Sequence, residues 1–411
     1  MNDQFIVTLD IGTTQIKAFI AEMHADGNLQ IVGVGTAKSL GMKKGAIVDL
    51  DQAVFSVRQA IQQAERMVGI EISKVYVGIS GNHVAVQHSH GLVAVSSESR
   101  VIENQDLDRV LQACRVINLP QERTIFDVIP TQYIVDGVSE IRDPRGMFGV
   151  RLEVEAMVLT ATKTVIQNLE RCLEKAQLEI AGMIYLPHAL GEACLTVDEK
   201  QIGVVLLDFG GGTMTISAYH QGNLTGTAVI PMGGEYLTSD IAIVLRTHSD
   251  VAEEVKCKYG CALAELANKN ESFSVQTLND QKEVVYHQDN LAEIMESRLS
   301  EMFYLVRQQL QYMGVSDRPS GGFVLTGGVM STRNILATAQ KYLGQPVRVA
   351  QPENIGVNEP SYMGGVSMVH YLDQRGMIQV PETIPNDVAR SKKQHGESAF
   401  SKMKNWFSDF I

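Results

Sequence analysis

The strongest constraint on what this chain can fold into is a hairpin written twice. Near the start, the alternating run Phe5-Ile6-Val7-Thr8-Leu9 leads into Asp10-Ile11-Gly12-Thr13-Thr14 and then a second apolar run over 16–21. Far along the chain, Val204-Val205-Leu206-Leu207 leads into Asp208-Phe209-Gly210-Gly211-Gly212-Thr213 and another strand ending near Ala218. Each copy puts an acidic residue at a strand end and follows it with glycines and hydroxyls in a tight turn. One such turn says little, because Asp and Gly suit turn geometry by themselves. Two copies imply two related halves.

The segments between fit a layered α/β chain. Residues 31–35 continue the opening sheet, 51–68 carry helical apolar spacing (Val54, Val57, Ile61, Ala64, Val68), and Val75-Tyr76-Val77-Gly78-Ile79 reads as a buried strand. From His83 to about Thr160 the pattern changes to short strands around one helix at 106–117, which predicts a small inserted α/β unit. A helix at 164–176 returns to the main fold, and helical segments at 238–258 and 291–313 flank a polar excursion at 268–290. The strand Phe323-Val324-Leu325 ends in a third glycine turn, Thr326-Gly327-Gly328. Beyond Pro381 the composition turns polar, as in a linker.

Such turns bring backbone N–H groups close to phosphate oxygens, and Thr13, Thr14 and Thr213 add hydroxyl donors. Asp10 and Asp208, facing one another, suit a hydrated Mg²⁺ that bridges the phosphates of ATP. The glycines of the third turn let an adenosine lie close. Gly12, Lys17, Gly210, Gly211, Gly212, Gly327 and Gly328 complete this candidate nucleotide set. The ordered trio resembles the actin, heat-shock chaperone and sugar-kinase superfamily, with its two phosphate motifs and its adenosine motif. In chaperone relatives a Glu-x-x-Lys touches ribose and adenine, which points by resemblance to Glu253 and Lys256 after Gly233-Gly234.

Within that superfamily the chain resembles the FtsA family of bacterial cell-division proteins. The pieces that carry the resemblance are Tyr76-Val77-Gly78-Ile79-Ser80-Gly81-Asn82-His83, Gly233-Gly234-Glu235 with Thr238-Ser239-Asp240-Ile241-Ala242, Ala252-Glu253-Glu254 with Lys258-Tyr259-Gly260, and Leu325-Thr326-Gly327-Gly328. The resemblance implies an α/β, actin-like (ribonuclease H-like) two-domain fold in which an inserted subdomain 1C replaces the usual 1B. It divides the chain into 1A (1–82 and 161–200), 1C (83–160), 2A (201–229), 2B (230–302), the remainder of 2A with a return to 1A (303–380), a linker (381–397) and a terminal helix (398–411). It further implies assembly into protofilaments, contact with other division proteins, and binding of the C-terminal peptide of the tubulin-like protein FtsZ. Matched to the family, Arg298 is expected to meet that peptide, on a helix that also carries Arg307, Ile294, Leu299, Met302 and Phe303. Many actin-like relatives place a Glu or Gln where this chain reads Tyr185-Leu186-Pro187-His188, so ATP hydrolysis is expected to be slow at most.

The last residues predict a membrane-surface helix. Wound helically, Phe400, Met403, Trp406, Phe407, Phe410 and Ile411 fall within an arc of roughly 140°. Five basic residues against two acidic ones over 390–411 would draw this tail to anionic lipid on the cytoplasmic face of the cell membrane, and the family resemblance implies that this is at the division site. Neither a sugar-kinase-type phosphotransferase nor the pilus-assembly protein PilM, the two rival readings, accounts for such a segment. The formal net charge of −12 argues against nucleic acid as a partner. The opening run shows no export-signal pattern and the five cysteines are scattered, so a reducing compartment and buried free thiols are expected, Cys257 and Cys261 included. His83, His88 and His90 read as an exposed strand edge, with no acidic ligand in evidence.

Overall fold

A computed structural model of the chain describes residues 5–23, 29–278, 283–353 and 356–375. The expected linker and membrane helix, with Phe400, Met403, Trp406, Phe407, Phe410 and Ile411, lie outside the described residues.

Both halves are built on one sheet plan. In the first, the hairpin Phe5–Ile11 with Gln15–Met23 continues antiparallel into Leu29–Lys38, while Lys74–Ile79 and Glu179–Tyr185 add on the other side in parallel. In the second, Val204–Phe209 pairs antiparallel with Met214–His220 and then Asn223–Ile230, while Phe323–Thr326 and Val347–Val349 add in parallel. The duplicated motif thus sits at the same place in each sheet.

Burial explains why these runs become central strands. Leu9, Ile16, Ala18, Phe19 and Ile20 in one sheet and Val205, Leu207, Phe209 and Ile216 in the other are essentially inaccessible. Each large side chain so buried contributes about 1.5–3 kcal/mol. The helix Leu50–Val68 covers the first sheet with Ala53, Val57, Ala60, Ile61 and Ala64, its start capped by the Asp49 carboxylate and its end by Gly69 at φ 81°. Its close approach depends on Gly35, where a Cβ would lie 1.9 Å from the Ala60 carbonyl oxygen.

The insert is a separate four-stranded antiparallel sheet, ordered Val84–Ala94, Arg151–Thr162, Arg123–Val135 and Val138–Ile141. The helix Asn104–Cys114 lies on it, and Ile102, Val110, Cys114, Leu152, Val154 and Val158 form its core. Arg123 clamps the neck: it donates to the Thr160 carbonyl at 2.8 Å and the His83 carbonyl at 3.2 Å, tying the exit strand to the entry. Two helices, Leu186–Cys194 and Met363–Gln374, pack between the halves in one apolar cluster with Ile129, Met157 and Leu159 of the insert.

One segment differs from expectation. The helix expected over 238–258 is two helices, Gly234–Leu245 and Ser249–Tyr259, broken where Arg246 turns left-handed at φ 52° and Thr247 N–H donates back to Ala242. The apolar spacing continues through the break, so periodicity alone does not mark it. The helix expected over 291–313 is present as Gln288–Tyr312, and its buried stripe continues through Met302, Phe303, Val306 and Leu310. Cys257 is exposed and the other four cysteines are buried, none in a disulfide.

Candidate nucleotide site

The two repeated turns meet across the gap between the halves. A Cβ on Gly211 would lie 2.2 Å from Thr14 Cγ2, and one on Gly212 would lie 2.7 Å from the Thr13 side chain. Glycine is therefore needed there for close approach of the opposing turn. The second turn is also held from behind. Gly234 and Glu235, at the start of Gly234–Leu245, donate their N–H groups to the Gly210 and Gly211 carbonyls at 3.0 and 2.8 Å. Gly233 makes this possible, since its Cβ would fall 2.5 Å from both carbonyl oxygens.

Asp10 and Asp208 keep a little surface open but are ringed by protein. Burial raises Asp208 to about 6, and the nearby Asp10 carboxylate adds to the rise while Lys17 opposes it. Asp10 is raised by burial as well, again opposed by Lys17. Burial holds the Lys17 ammonium below its ordinary range, against the opposing pull of Asp10, Asp208 and Glu359. This lysine donates to the Ser361 carbonyl and lies 5.5 Å from the Tyr362 ring centroid. One cation thus faces several carboxylates, an arrangement short of positive charge.

A hydrated divalent cation fits this donor set. Two buried carboxylates close enough to raise the pKa of Asp208 favour added positive charge, and a hydrated Mg²⁺ needs only one or two of them plus phosphates. Among the described residues no cluster of three or more metal-ligating side chains occurs, so a dedicated protein cage is not what this site offers.

The third turn closes against the second hairpin. Gly327, at φ 94°, has space only for hydrogen: a Cβ would lie 2.5 Å from Asp208 Oδ1 and from the Phe209 carbonyl oxygen. Gly328 faces open space, with Ser361 Cβ its nearest neighbour at 3.9 Å from an added Cβ. Glu253 and Lys256 form a 2.6 Å ion pair, and Lys256 also donates to Thr238 Oγ1 at 2.9 Å and the Gly234 carbonyl at 3.3 Å. Burial works against the Glu253 charge, but Lys256, Thr238 and Cys257 outweigh it and hold its pKa below the ordinary carboxylate range. The pair therefore stands beside Gly233-Gly234, although on the helix after the one that they open.

Sequence reasoning missed the return segment. Glu359, Ser361 and Tyr362 surround Lys17, and Gly364 packs so closely that its Cβ would lie 2.8 Å from Asp10 Oδ2. Gly364-Gly365 repeats the signal of Gly233-Gly234 and Gly327-Gly328, and could have been found by it.

At the position where relatives carry Glu or Gln, Leu186 is buried, with Gly78 and Gly364 beside it. His188 is a packing residue: its ring stands edge-on to Tyr371 with centroids 5.6 Å apart, and burial pushes it down to about 4. Glu192 is engaged by Lys200 at 2.9 Å.

Arg298 lies elsewhere. Its guanidinium grips Asp240 at 2.5 and 2.8 Å, pairs with Glu301 and stands 5.8 Å from the Tyr236 ring centroid. It lines a groove of about 480 Å³ with Asp240, Ile243, Val244, Ile294 and Glu301. Leu299, Met302 and Phe303, expected beside it, are wholly buried in the core, and Arg307 pairs with Asp317 at 2.8 Å. The apolar wall is supplied instead by the exposed Ile243 and Val244 of Gly234–Leu245. On the insert, Glu153 pairs with His90 at 2.9 Å, an acidic neighbour that the sequence did not reveal.

Comparison with known proteins agrees with this architecture. A family model described as "Cell division protein FtsA" matches residues 205–367, and one described as "SHS2 domain inserted in FTSA" matches 81–160. The chain is 44% identical over 397 residues to "Cell division protein FtsA" of Bacillus subtilis, covering 95% of this chain and 90% of that protein. It is 34% identical to the Escherichia coli protein of the same description, covering 90% of each. Among solved structures, the chain is similar to a PilM-PilN type IV pilus biogenesis complex (TM-score 0.61, 15% identity, 90% of this chain and 98% of that one). It is also similar to MreB5 of Spiroplasma citri bound to ADP (TM-score 0.53, 13% identity, 91% and 98%). At those identities the likeness shows the actin-like fold alone.

Proposed function

The chain belongs to the FtsA family of cell-division proteins, and from that premise we propose that it binds MgATP in the cleft between its two hairpins and holds FtsZ at the membrane. The cell-division role goes with the family, which takes precedence over a pilus-assembly or sugar-kinase reading. The observation that carries the nucleotide part is the pair Asp10 and Asp208, ringed by protein on facing turns, with the Lys17 charge acting on both.

In this reading Gly12, Thr13, Thr14 and Lys17 face the phosphates from one side and Gly210, Gly211, Gly212 and Thr213 from the other. Asp10 and Asp208 would hold Mg²⁺ through water, and the metal would neutralise phosphate charge. Gly233, Gly234, Glu253, Lys256, Gly327 and Gly328 would receive the nucleoside. Leu186 cannot orient a water for attack, so turnover is slow.

The groove at Arg298 suits the FtsZ tail, with Ile243, Val244 and Ile294 for apolar side chains and a guanidinium that a peptide carboxylate would share with, or take over from, Asp240 and Glu301. The sequence of 398–411 supplies the membrane contact, and copies assembled into protofilaments on the membrane would multiply weak tail contacts. Co-sedimentation with anionic vesicles tests the tether in one assay. The intact protein should carry a labelled FtsZ tail peptide into the lipid pellet, and Arg298→Glu should pellet without it. A chain lacking 398–411 should leave both in the supernatant. Peptide carried equally by Arg298→Glu, or pelleting of the truncated chain, would refute the corresponding assignment.

A further inference from the structure

Lys38 ends the third strand of the first sheet, in register opposite Gln15. The next amide, Ser39 N–H, donates to the Thr14 carbonyl at 2.9 Å, so this lysine is tied through the backbone to the first phosphate turn. Its ammonium crosses to the other half and pairs with Asp250 Oδ1 at 2.9 Å. Asp250 lies in the first turn of Ser249–Tyr259, the helix that presents Glu253 and Lys256. Among the described residues, no other ion pair joins the first five-stranded sheet to the helices of the second half. Elsewhere the two sheets are joined by the Tyr185 hydroxyl donating to Thr227 Oγ1 at 2.8 Å, and the turns meet sterically, Thr13 and Thr14 against Gly211 and Gly212. The steric contact joins the turns themselves, and the ion pair joins the strand beside one turn to the helix beyond the other.

We infer that Lys38 and Asp250 form a latch across the mouth of the cleft that slows escape of the bound nucleotide. The inference rests on reading the cleft as the nucleotide site. Both side chains are well exposed, at 72% and 85%, so the pair is too weak to hold the fold together. Weakness suits a gate, because on this inference the ligand leaves when the two halves part. An exposed pair changes such a rate by about two- to fivefold and is screened by salt. Nucleotide release therefore becomes faster as ionic strength rises.

Stopped-flow release of a fluorescent ATP analogue with Mg²⁺, from the full chain at low and high salt, is the test. At low salt Lys38→Glu and Asp250→Lys should each release about two- to fivefold faster than the parent. The double variant, which restores the pair with reversed charges, should return close to the parent rate, and all four should converge near 1 M salt. If Lys38 acted on the phosphates directly, the double variant would stay fast, which overturns the latch. Singles that release at the parent rate overturn it as well. Failure of the parent protein to bind the analogue saturably would instead remove the nucleotide reading, and the latch with it.

Discussion

In the first hairpin Asp10 stands across the strand pair from Lys17, whereas in the second Asp208 stands at the same register across from Thr215. The first hairpin carries its own counter-charge and closes its turn internally, Gly12 N–H donating to the Gln15 carbonyl at 3.1 Å. The second lacks a lysine, and besides its own Gly210 N–H to Thr213 carbonyl bond it leans on Gly233-Gly234-Glu235 from behind. A duplicated plan has therefore divided its labour. One copy supplies the cation for both carboxylates, and the other supplies the glycines that let the opposing turn approach.

Removing the shared cation should break the comparison most severely. Lys17→Met leaves Asp10 and Asp208 without their shared cation, and removing one partner of a buried charge set costs about 3–5 kcal/mol. Because the penalty falls on ionised carboxylates, chemical denaturation should show a larger loss at pH 8 than at pH 5. An equal loss at both would mean that Lys17 acts through packing alone.

Next in size is ligand binding. Asp10→Ala and Asp208→Ala should each weaken affinity for a fluorescent MgATP analogue by about 10- to 100-fold, as for groups that orient a hydrated metal. Affinity unchanged in both would remove the clamp.

The third prediction probes the Gly233-Gly234-Glu235 support behind the second hairpin. Gly233→Ala puts a methyl group against two backbone carbonyl oxygens that have no room to give, and overpacking of this kind costs about 1–3 kcal/mol. A fall in Tm is expected, whereas Gly45→Ala, where nothing lies near the added Cβ and only the positive φ opposes it, should lose less.

The smallest effect is of opposite sign. Asp208, raised to about 6, binds its proton more tightly folded than unfolded, so its contribution to stability is fully present below pH 4 and is lost as pH rises to about 6. At pH 7 the ligand-free protein carries an ionised carboxylate at a cost, and Asp208→Asn should relieve it, raising stability by the order of 1 kcal/mol. The gain should vanish near pH 4. Melting curves without nucleotide at both pH values decide it, and the same variant should bind MgATP less well.

Much of this molecule was legible in the sequence because the informative residues are local. Asp10, Asp208 and the glycines beside them are chosen by turn geometry and by contact with phosphate, needs that a few adjacent residues express. The alternation of Val204-Val205-Leu206-Leu207 and the helical spacing from Val54 to Ala64 are likewise properties of short segments. What escaped was set by distant partners. Glu359, Ser361 and Gly364 reach the site only because the last described helix folds back onto the first sheet. The break at Arg246 follows from where Gly234–Leu245 and Ser249–Tyr259 each find a core to cover, which apolar spacing cannot locate. Leu299, Met302 and Phe303 share a helix with Arg298, and only the packing against the second sheet decides that they are covered while Ile243 and Val244 stay exposed.

The sequence by itself determined that two like halves would each present an acidic glycine turn, because backbone conformation at Gly and the burial of alternating apolar residues are decided within a few residues. Only the tertiary structure decided that Lys17 would serve both carboxylates, that Gly211 and Gly212 would meet Thr14 and Thr13, and that Lys38 would reach Asp250. Those are distances between residues remote in the chain, and they follow from how the two sheets pack about the helices between them.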